Sequence, residues 1–261
     1  MAAVEDKVMS ELSKIMVGRH TTREPFDAGR PIANPEIRMI LDAARWAPTP
    51  NNMQNFEILL VDDTEQLKAI GKTPAVMSEA FLRENYAQLS YSSDELRTKQ
   101  TGMLASTFPE TWTNPEAWTP DSDYRSQLTS LGHSVQETPL LLVVIYDGSK
   151  RAPGEEIDFA GHIGLGCVLE NMWLMSESLG IGFHVNTVFA DEQVQVQVRA
   201  LLDIPANMRV AYACALGYLK DPSSSSPRVR KEIGDFVHHN RFGAKDIPWI
   251  ASLSPDSMPS L

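Results

Sequence analysis

The sequence predicts a fold that mixes α-helices with a buried β-sheet, and three stretches carry that expectation. From Pro35 to Ala47, Ile37, Ile40, Leu41 and Ala44 recur on one helical face, and a polar turn then leads into the β-rich run Phe56 to Val61. Leu140 to Tyr146 is continuously apolar between Pro139 and Asp147-Gly148, the pattern of a strand covered on both faces. Residues 156–179 form the longest helical stretch, apolar nearly all round, as in a helix buried on most sides. With 261 residues and 43% hydrophobic content, the chain can build a sizeable core as one domain.

The remaining elements follow in order. Val4, Val8, Leu12 and Ile15 keep helical spacing, which predicts a first helix over about 3–17. Asn34 is placed to cap the next helix with Pro35 in its first turn, and Pro48 and Pro50 end it. Asp63 caps a short helix from Glu65 to Ile70 that Gly71 ends. Residues 72–130 have a different texture, with Phe81, Tyr86, Tyr91, Met103, Phe108, Trp112, Trp118 and Tyr124 scattered among polar residues and no strand pattern. This segment reads as a helical lid inserted over the site, against the alternative of a satellite cluster that protects the core.

In the long helix, Ala160, Gly161 and Gly164 leave a patch where another backbone can approach, since a helical glycine costs about 1 kcal/mol relative to alanine and needs a packing reason. Gly180 terminates that helix, with a short strand beyond it. Asp191 caps a helix to Leu202, Val210 to Leu219 is a further strand, Ser223 to Ser226 is a linker by composition, and 244–261 forms an arm.

Composition narrows the function classes. A net charge of -11 disfavours a nucleic-acid or anionic-membrane surface, and no apolar run is long enough to span a bilayer. The N-terminus lacks the pattern of a secretion signal, and Cys167 and Cys214 sit in apolar runs as buried thiols, so a cytoplasmic location is expected. The chain shows no Gly-x-Ser-x-Gly elbow, Cys-x-x-Cys or His-Glu-x-x-His motif. Adjacent His238 and His239 point about 100° apart on a helix and make a poor metal site. Gly161, Gly164 and Gly166 do not form the ordered dinucleotide fingerprint.

Two clusters suit a polar, phosphorylated ligand. Arg19-His20-Thr21-Thr22-Arg23 offers guanidinium forks and short hydroxyls that can surround a phosphate, or else a solvated basic loop after a helix. Thr49, Asn51, Asn52 and Gln54 concentrate neutral donors and acceptors on a turn held between rigid ends, which fits a planar polar edge, or else they satisfy the turn's own backbone.

These stretches carry a family resemblance. Ala43-Ala44-Arg45-Trp46-Ala47-Pro48-Thr49, followed by Asn52 and Gln54, resembles a signature of the FMN-dependent nitroreductase family. Arg19 to Arg23 ahead of Phe26, Gly180-Ile181-Gly182, and Pro227-Arg228-Val229-Arg230-Lys231 resemble three further stations in the same order, over roughly Arg19 to Gly243. The resemblance implies an α+β sandwich with a mixed, mostly antiparallel central sheet flanked by helices, and an interlocked homodimer holding two FMN molecules. It implies that Arg19, Thr21 and Arg23 hold the FMN phosphate and ribityl chain with His20 nearby, and that Arg228 and Arg230 complete the clamp. Pro48, Thr49, Asn52 and Gln54 then belong to the turn beside the flavin, with Asn52 on its polar edge, and the backbone at Thr187 and Val188 runs alongside the ring near N5.

The implied activity is a ping-pong transfer of hydride from NADH or NADPH through flavin N5 to a nitroaromatic, quinone or activated alkene, with no protein nucleophile or metal. The alternatives are a flavin-dependent dehydrogenase or oxidase of a biosynthetic intermediate with oxygen as acceptor, and a flavin-binding relative without turnover. Two departures bear on the substrate: Asn55-Phe56 stands where Pro-Trp is common, and Thr187-Val188 where glycine is common.

Overall fold

The computed structural model describes residues 11–75, 79–108, 110–114, 116, 131, 132, 135, 137–221 and 228–247. Residues 3–10 of the expected first helix, Trp118, Tyr124, the Ser223 to Ser226 segment and residues 248–261 of the arm lie outside them.

In chain order the helices are α1 Glu11–Gly18, α2 Asn34–Arg45, α3 Thr64–Gly71, α4 Glu79–Phe81, α5 Ser93–Lys99, α6 Glu110–Thr113, α7 Phe159–Ser178, α8 Glu192–Leu201 and α9 Ile233–Phe236. The strands are β1 Glu57–Val61, β2 Ser90–Tyr91, β3 Met103–Leu104, β4 Leu140–Asp147, β5 Gly182–Asn186 and β6 Met208–Gly217. The described residues fall into two compact units, one of 11–75 with 131–221 and the other of 79–116 with 228–247.

The first unit is a three-layer sandwich. Its four-stranded sheet has the order β1-β4-β6-β5, and every neighbouring pair is antiparallel. The inner strand β4 is apolar on both faces because both faces are covered. Leu141, Val143 and Ile145 pack with Leu67 and Ile70 of α3 and Val194 and Val198 of α8. Leu140, Leu142 and Val144 pack with Ile40 and Ala44 of α2 and Leu165, Val168 and Met172 of α7. Val168, Leu141, Leu142 and Val143 are fully buried, each worth about 1.5–3 kcal/mol against exposure.

One irregularity re-aims side chains. Tyr212 stands opposite Val144 but Val210 opposite Ile145, so Ala211 is an extra residue on β6. Beyond it Met208 and Val210 join the α3–α8 core, while Tyr212, Cys214 and Leu216 face α2 and α7.

Two details, at Asn34 and in the 72–130 segment, differ from the sequence reading, while the short strand expected after Gly180 is β5. Asn34 does not cap α2; the flanking residue is Ala33, whose N–H donates to Glu36 Oε2 at 3.0 Å. The strand after Gly180 stops at Asn186, where residues 187–190 turn into a 3-10 helix. The only parallel pairing among the described residues is the two-residue ladder of β2 with β3, in a segment where no strand was expected. Asp63 and Asp191 do cap α3 and α8, Gly180 takes the left-handed φ of 67° expected of a helix terminator, and the small-residue patch on α7 receives a neighbour described below.

The second unit gathers the described aromatics of the expected lid. Tyr86 lies in a π-helical turn, Leu82–Ala87, with its ring 4.9 Å from Phe108 and 5.1 Å from Trp112, and Phe81 packs at its other side at 6.2 Å. Ser92 caps α5 in a reciprocal pair with Glu95, holding the Glu95 carboxyl below its usual range.

Candidate functional site

Residues 19–23 are fastened to the sheet by their backbone. The Thr22 N–H donates to the Phe183 carbonyl at 2.9 Å, and the Phe183 N–H donates back to Thr22 Oγ1 at 3.0 Å. His184 Nδ1 lies 2.6 Å from the Thr22 carbonyl oxygen, and Trp173 Nε1 donates to the His20 carbonyl at 3.2 Å. Downstream, Phe26 bridges to Leu219 beyond β6. The close fit explains Gly182: a Cβ there would lie 2.9 Å from both Thr22 Oγ1 and the Phe26 ring.

The threonine that anchors the loop is therefore Thr22, fully buried, while the sequence-predicted Thr21 is half-buried beside it. The two arginines differ. Arg19 lies over the Trp173 ring at 4.3 Å, with its Nε 3.2 Å from Glu170 Oε1, whereas Arg23 is exposed and its N–H donates to Glu24 Oε2 at 3.0 Å. Both carboxylates sit on donors that also suit phosphate oxygens, so the donor set fits an anionic group. His20 Nδ1 lies 3.1 Å from the Gly18 carbonyl.

The turn after α2 is held internally. Thr49 Oγ1 accepts the Gln54 N–H at 3.1 Å, the Thr49 carbonyl accepts the Asn52 N–H at 3.0 Å, and Gln54 Nε2 donates to Asn52 Oδ1 at 3.0 Å. Asn51, Asn52 and Gln54 adopt φ of 47°, 54° and 45°. Three non-glycine residues in the left-handed region within four positions hold strain of the kind found at binding sites. Pro48, Asn52 and Gln54 are exposed and Thr49 half-buried. The turn rests on α7 at Gly164, where a Cβ would come within 3.2 Å of Pro50 Cδ and 3.5 Å of Thr49 Cα. Asn55, in place of the common proline, exchanges hydrogen bonds with the Asp147 backbone at 3.3 Å in both directions and ties the turn's exit to the end of β4.

At the far end of β5, Asn186 Oδ1 accepts the Val188 N–H at 3.1 Å. That amide is occupied within the chain, and Thr187 is the exposed residue of the pair. Beside this turn a cavity of about 310 Å³ is lined by Tyr146, His162, Leu165, Ala190, Arg209 and Tyr212, among others. Tyr212 donates its hydroxyl to the Leu165 carbonyl at 2.9 Å, and burial pushes the Tyr212 and Tyr146 pKa values up.

Arg228 and Arg230 belong to the other unit, both exposed, with Arg230 Nη1 donating to the Val229 carbonyl at 2.8 Å. His238 packs on Phe242 with ring centroids 4.5 Å apart and accepts the Gly243 N–H, and no group of three metal-ligating side chains occurs among the described residues. Cys214 is buried with its pKa raised by burial, and Cys167 is half-buried. No described helix is long and apolar enough to cross a membrane.

Sequence reasoning missed Thr22 as the anchor, together with His184, Trp173, Glu170 and Asn186. A clue to Thr22 lay in Gly182, since a strand glycine marks the close approach of another group.

Comparison with known proteins bears on the fold and the family. Over 91 residues, covering 35% of this chain, the sequence is 29% identical to a curated protein of Lactiplantibacillus plantarum, the "CLA biosynthesis enone reductase", and the match spans 38% of that protein's length. A nitroreductase with bound FMN from Bacteroides fragilis superposes with a TM-score of 0.53 at 18% identity, covering 85% of this chain and 96% of that one. An oxidized iodotyrosine deiodinase bound to FMN and 3-iodo-L-tyrosine superposes with a TM-score of 0.57 at 20% identity, covering 88% of this chain and all of the other. The Nitroreductase family profile matches residues 16–218, from the end of α1 to the end of β6, and the chain belongs to the Nitroreductase family.

Proposed function

We propose that the protein is an FMN-dependent NAD(P)H oxidoreductase acting on a small electron-poor acceptor. The observation that carries this reading is the layout of β5. The anchored Arg19–Arg23 loop meets the strand at Phe183, and the turn at Thr187 leaves its other end four residues on, about 13 Å away. That length suits an extended ribityl phosphate and the central ring of a flavin.

When bound, FMN supplies hydride acceptance and donation at N5. The chain's residues position it. Arg23, with Arg19, His20 and Thr21, takes the phosphate side. The strained turn with Pro48, Thr49, Asn52 and Gln54 presents neutral amides to the polar edge of the ring. Beside N5 the Thr187 amide takes the donor role, because Asn186 already holds the Val188 amide. Thr187 and Val188 carry β-branched side chains where family members often have glycine, which narrows the space next to the ring and favours flat acceptors. NADH or NADPH and the acceptor then use the same space in turn. Among acceptors, an activated alkene has support from the enone reductase relative, beside nitroaromatics and quinones.

The assembly proposed with this activity is a homodimer. On one unit, Phe159 and Ile163 of α7 are 64% and 52% exposed and Trp46 after α2 is 74% exposed, with Leu12 and Met16 of α1 also exposed. Both α1 and α2 pack on α7, so these side chains surround one helix, as expected of a face that a second copy covers.

The test is the visible spectrum of the purified protein, with the cofactor then released and identified. Flavin bands and FMN are expected, bleaching with NADH or NADPH and recovering when menadione or an enone is added. A colourless protein that takes up no added FMN overturns the proposal. Bleaching only by an organic substrate, with recovery in oxygen, would favour the dehydrogenase or oxidase reading.

A further inference from the structure

His184 has no part in the roles above, yet it makes the shortest of the contacts that fasten the 19–23 loop, 2.6 Å from Nδ1 to the Thr22 carbonyl oxygen. A carbonyl only accepts, so Nδ1 carries the proton, and the neutral ring leaves its lone pair on Nε2. Burial pushes the His184 pKa down, opposed by the bond to Thr22, and the Arg23 guanidinium pushes it in the same direction as burial. A ring kept neutral in this way is no counter-charge for an anion. Its contribution is geometric.

The geometry is that of one peptide plane. Thr22 is held on one side by the Phe183 backbone, through its N–H and its hydroxyl. The peptide joining Thr22 to Arg23 is trans, so its carbonyl and its N–H point to opposite sides. With the carbonyl turned to His184, the Arg23 N–H is turned away from the imidazole, and there it meets the carboxylate oxygen of Glu24. An oxygen of an anionic ligand would take the place of that carboxylate oxygen. Without a donor at position 184, the Thr22 carbonyl loses a half-buried partner and the plane is free to rotate.

We propose that His184 is a positioning residue of the anion site: its Nδ1–H fixes the Thr22–Arg23 peptide so that the Arg23 N–H faces a phosphate monoester. The ligand class rests on the FMN reading above, whereas the peptide anchor does not. Asparagine can replace the Nδ1–H donor with its own amide, and leucine fills similar space without one.

The experiment titrates apo protein with FMN by flavin fluorescence for the wild type, His184→Asn and His184→Leu, with melting temperatures as the folding control. His184→Leu is expected to raise Kd about tenfold, and His184→Asn to stay within about threefold of wild type. Wild-type affinity in His184→Leu, or an equal loss in both variants, overturns the positioning role. Should His184→Leu fail to fold, the ¹⁵N spectrum of the histidine ring in the wild type decides the anchor: a proton on Nδ1 is expected, and the Nε2–H tautomer overturns it. A folded wild type that binds no FMN overturns the phosphate assignment itself, and the ring spectrum still reads the anchor separately.

Discussion

Arg19 and Arg23 enter the proposed site under different obligations. Arg19 has 21% of its side chain exposed, lies on Trp173 and pairs with Glu170. Replacing it removes packing as well as a phosphate partner. Arg23→Ala is therefore expected to weaken FMN binding by about 1.5–3 kcal/mol with little change in melting temperature, and Arg19→Ala to lower both. Equilibrium dialysis with FMN and thermal melts separate the two effects, and unchanged flavin content in both variants would move the phosphate elsewhere. For Asn52→Ala, a shifted flavin potential is expected, and an unaltered potential would remove the ring-edge role. His184 also gives a pH signature. Its pKa is lowered in the folded protein, so the unfolded chain takes up the proton first and stability falls as pH drops below the ordinary imidazole value of about 6.5. A series of melts from pH 8 to 5 should show this decline in the wild type and less of it in His184→Asn.

At the level of elements, the contact between α7 and the Thr49–Pro50 turn is the most exposed to a test. Gly164→Val places branched carbons where even a Cβ would be 3.2 Å from Pro50, so the turn must shift, at a cost of about 1–3 kcal/mol. Helix content by circular dichroism should hold while FMN affinity drops; unchanged affinity would show that the turn tolerates displacement. The sequence made this contact visible because Gly164 needed a packing reason, although not which backbone would supply it. Elements β4, α2 and α7 were legible for a similar cause, since long periodic or unbroken apolar runs leave few competing structures. The left-handed run at Asn51, Asn52 and Gln54 was not legible, because Gln rarely takes such φ values and bonds between residues several positions apart, among them Thr49, Asn52 and Gln54, stabilise it there. Nor was the choice of Thr22 over Thr21, where adjacent identical residues differ only in which one faces Phe183.

For the whole molecule, the exposed apolar side chains around α7 predict association. Substituting Phe159→Asp together with Ile163→Asp should turn a sedimenting dimer into a monomer and release flavin, if the sites are completed across the contact. Unchanged sedimentation would show that another surface joins the copies. The extra residue at Ala211 has a consequence of another kind. It shifts the phase of β6, sending Val210 into the α3–α8 core and bringing Arg209 to the cavity beside Tyr146 and His162. Pairing β6 without the bulge would put Ala211 opposite Ile145 and exchange the faces of Arg209 and Val210, whereas deleting Ala211 would leave both where they are. At this end of the sheet, the polarity of the cavity wall is thus set by one unpaired residue, which holds a charged side chain and an apolar one on opposite faces with no change in either.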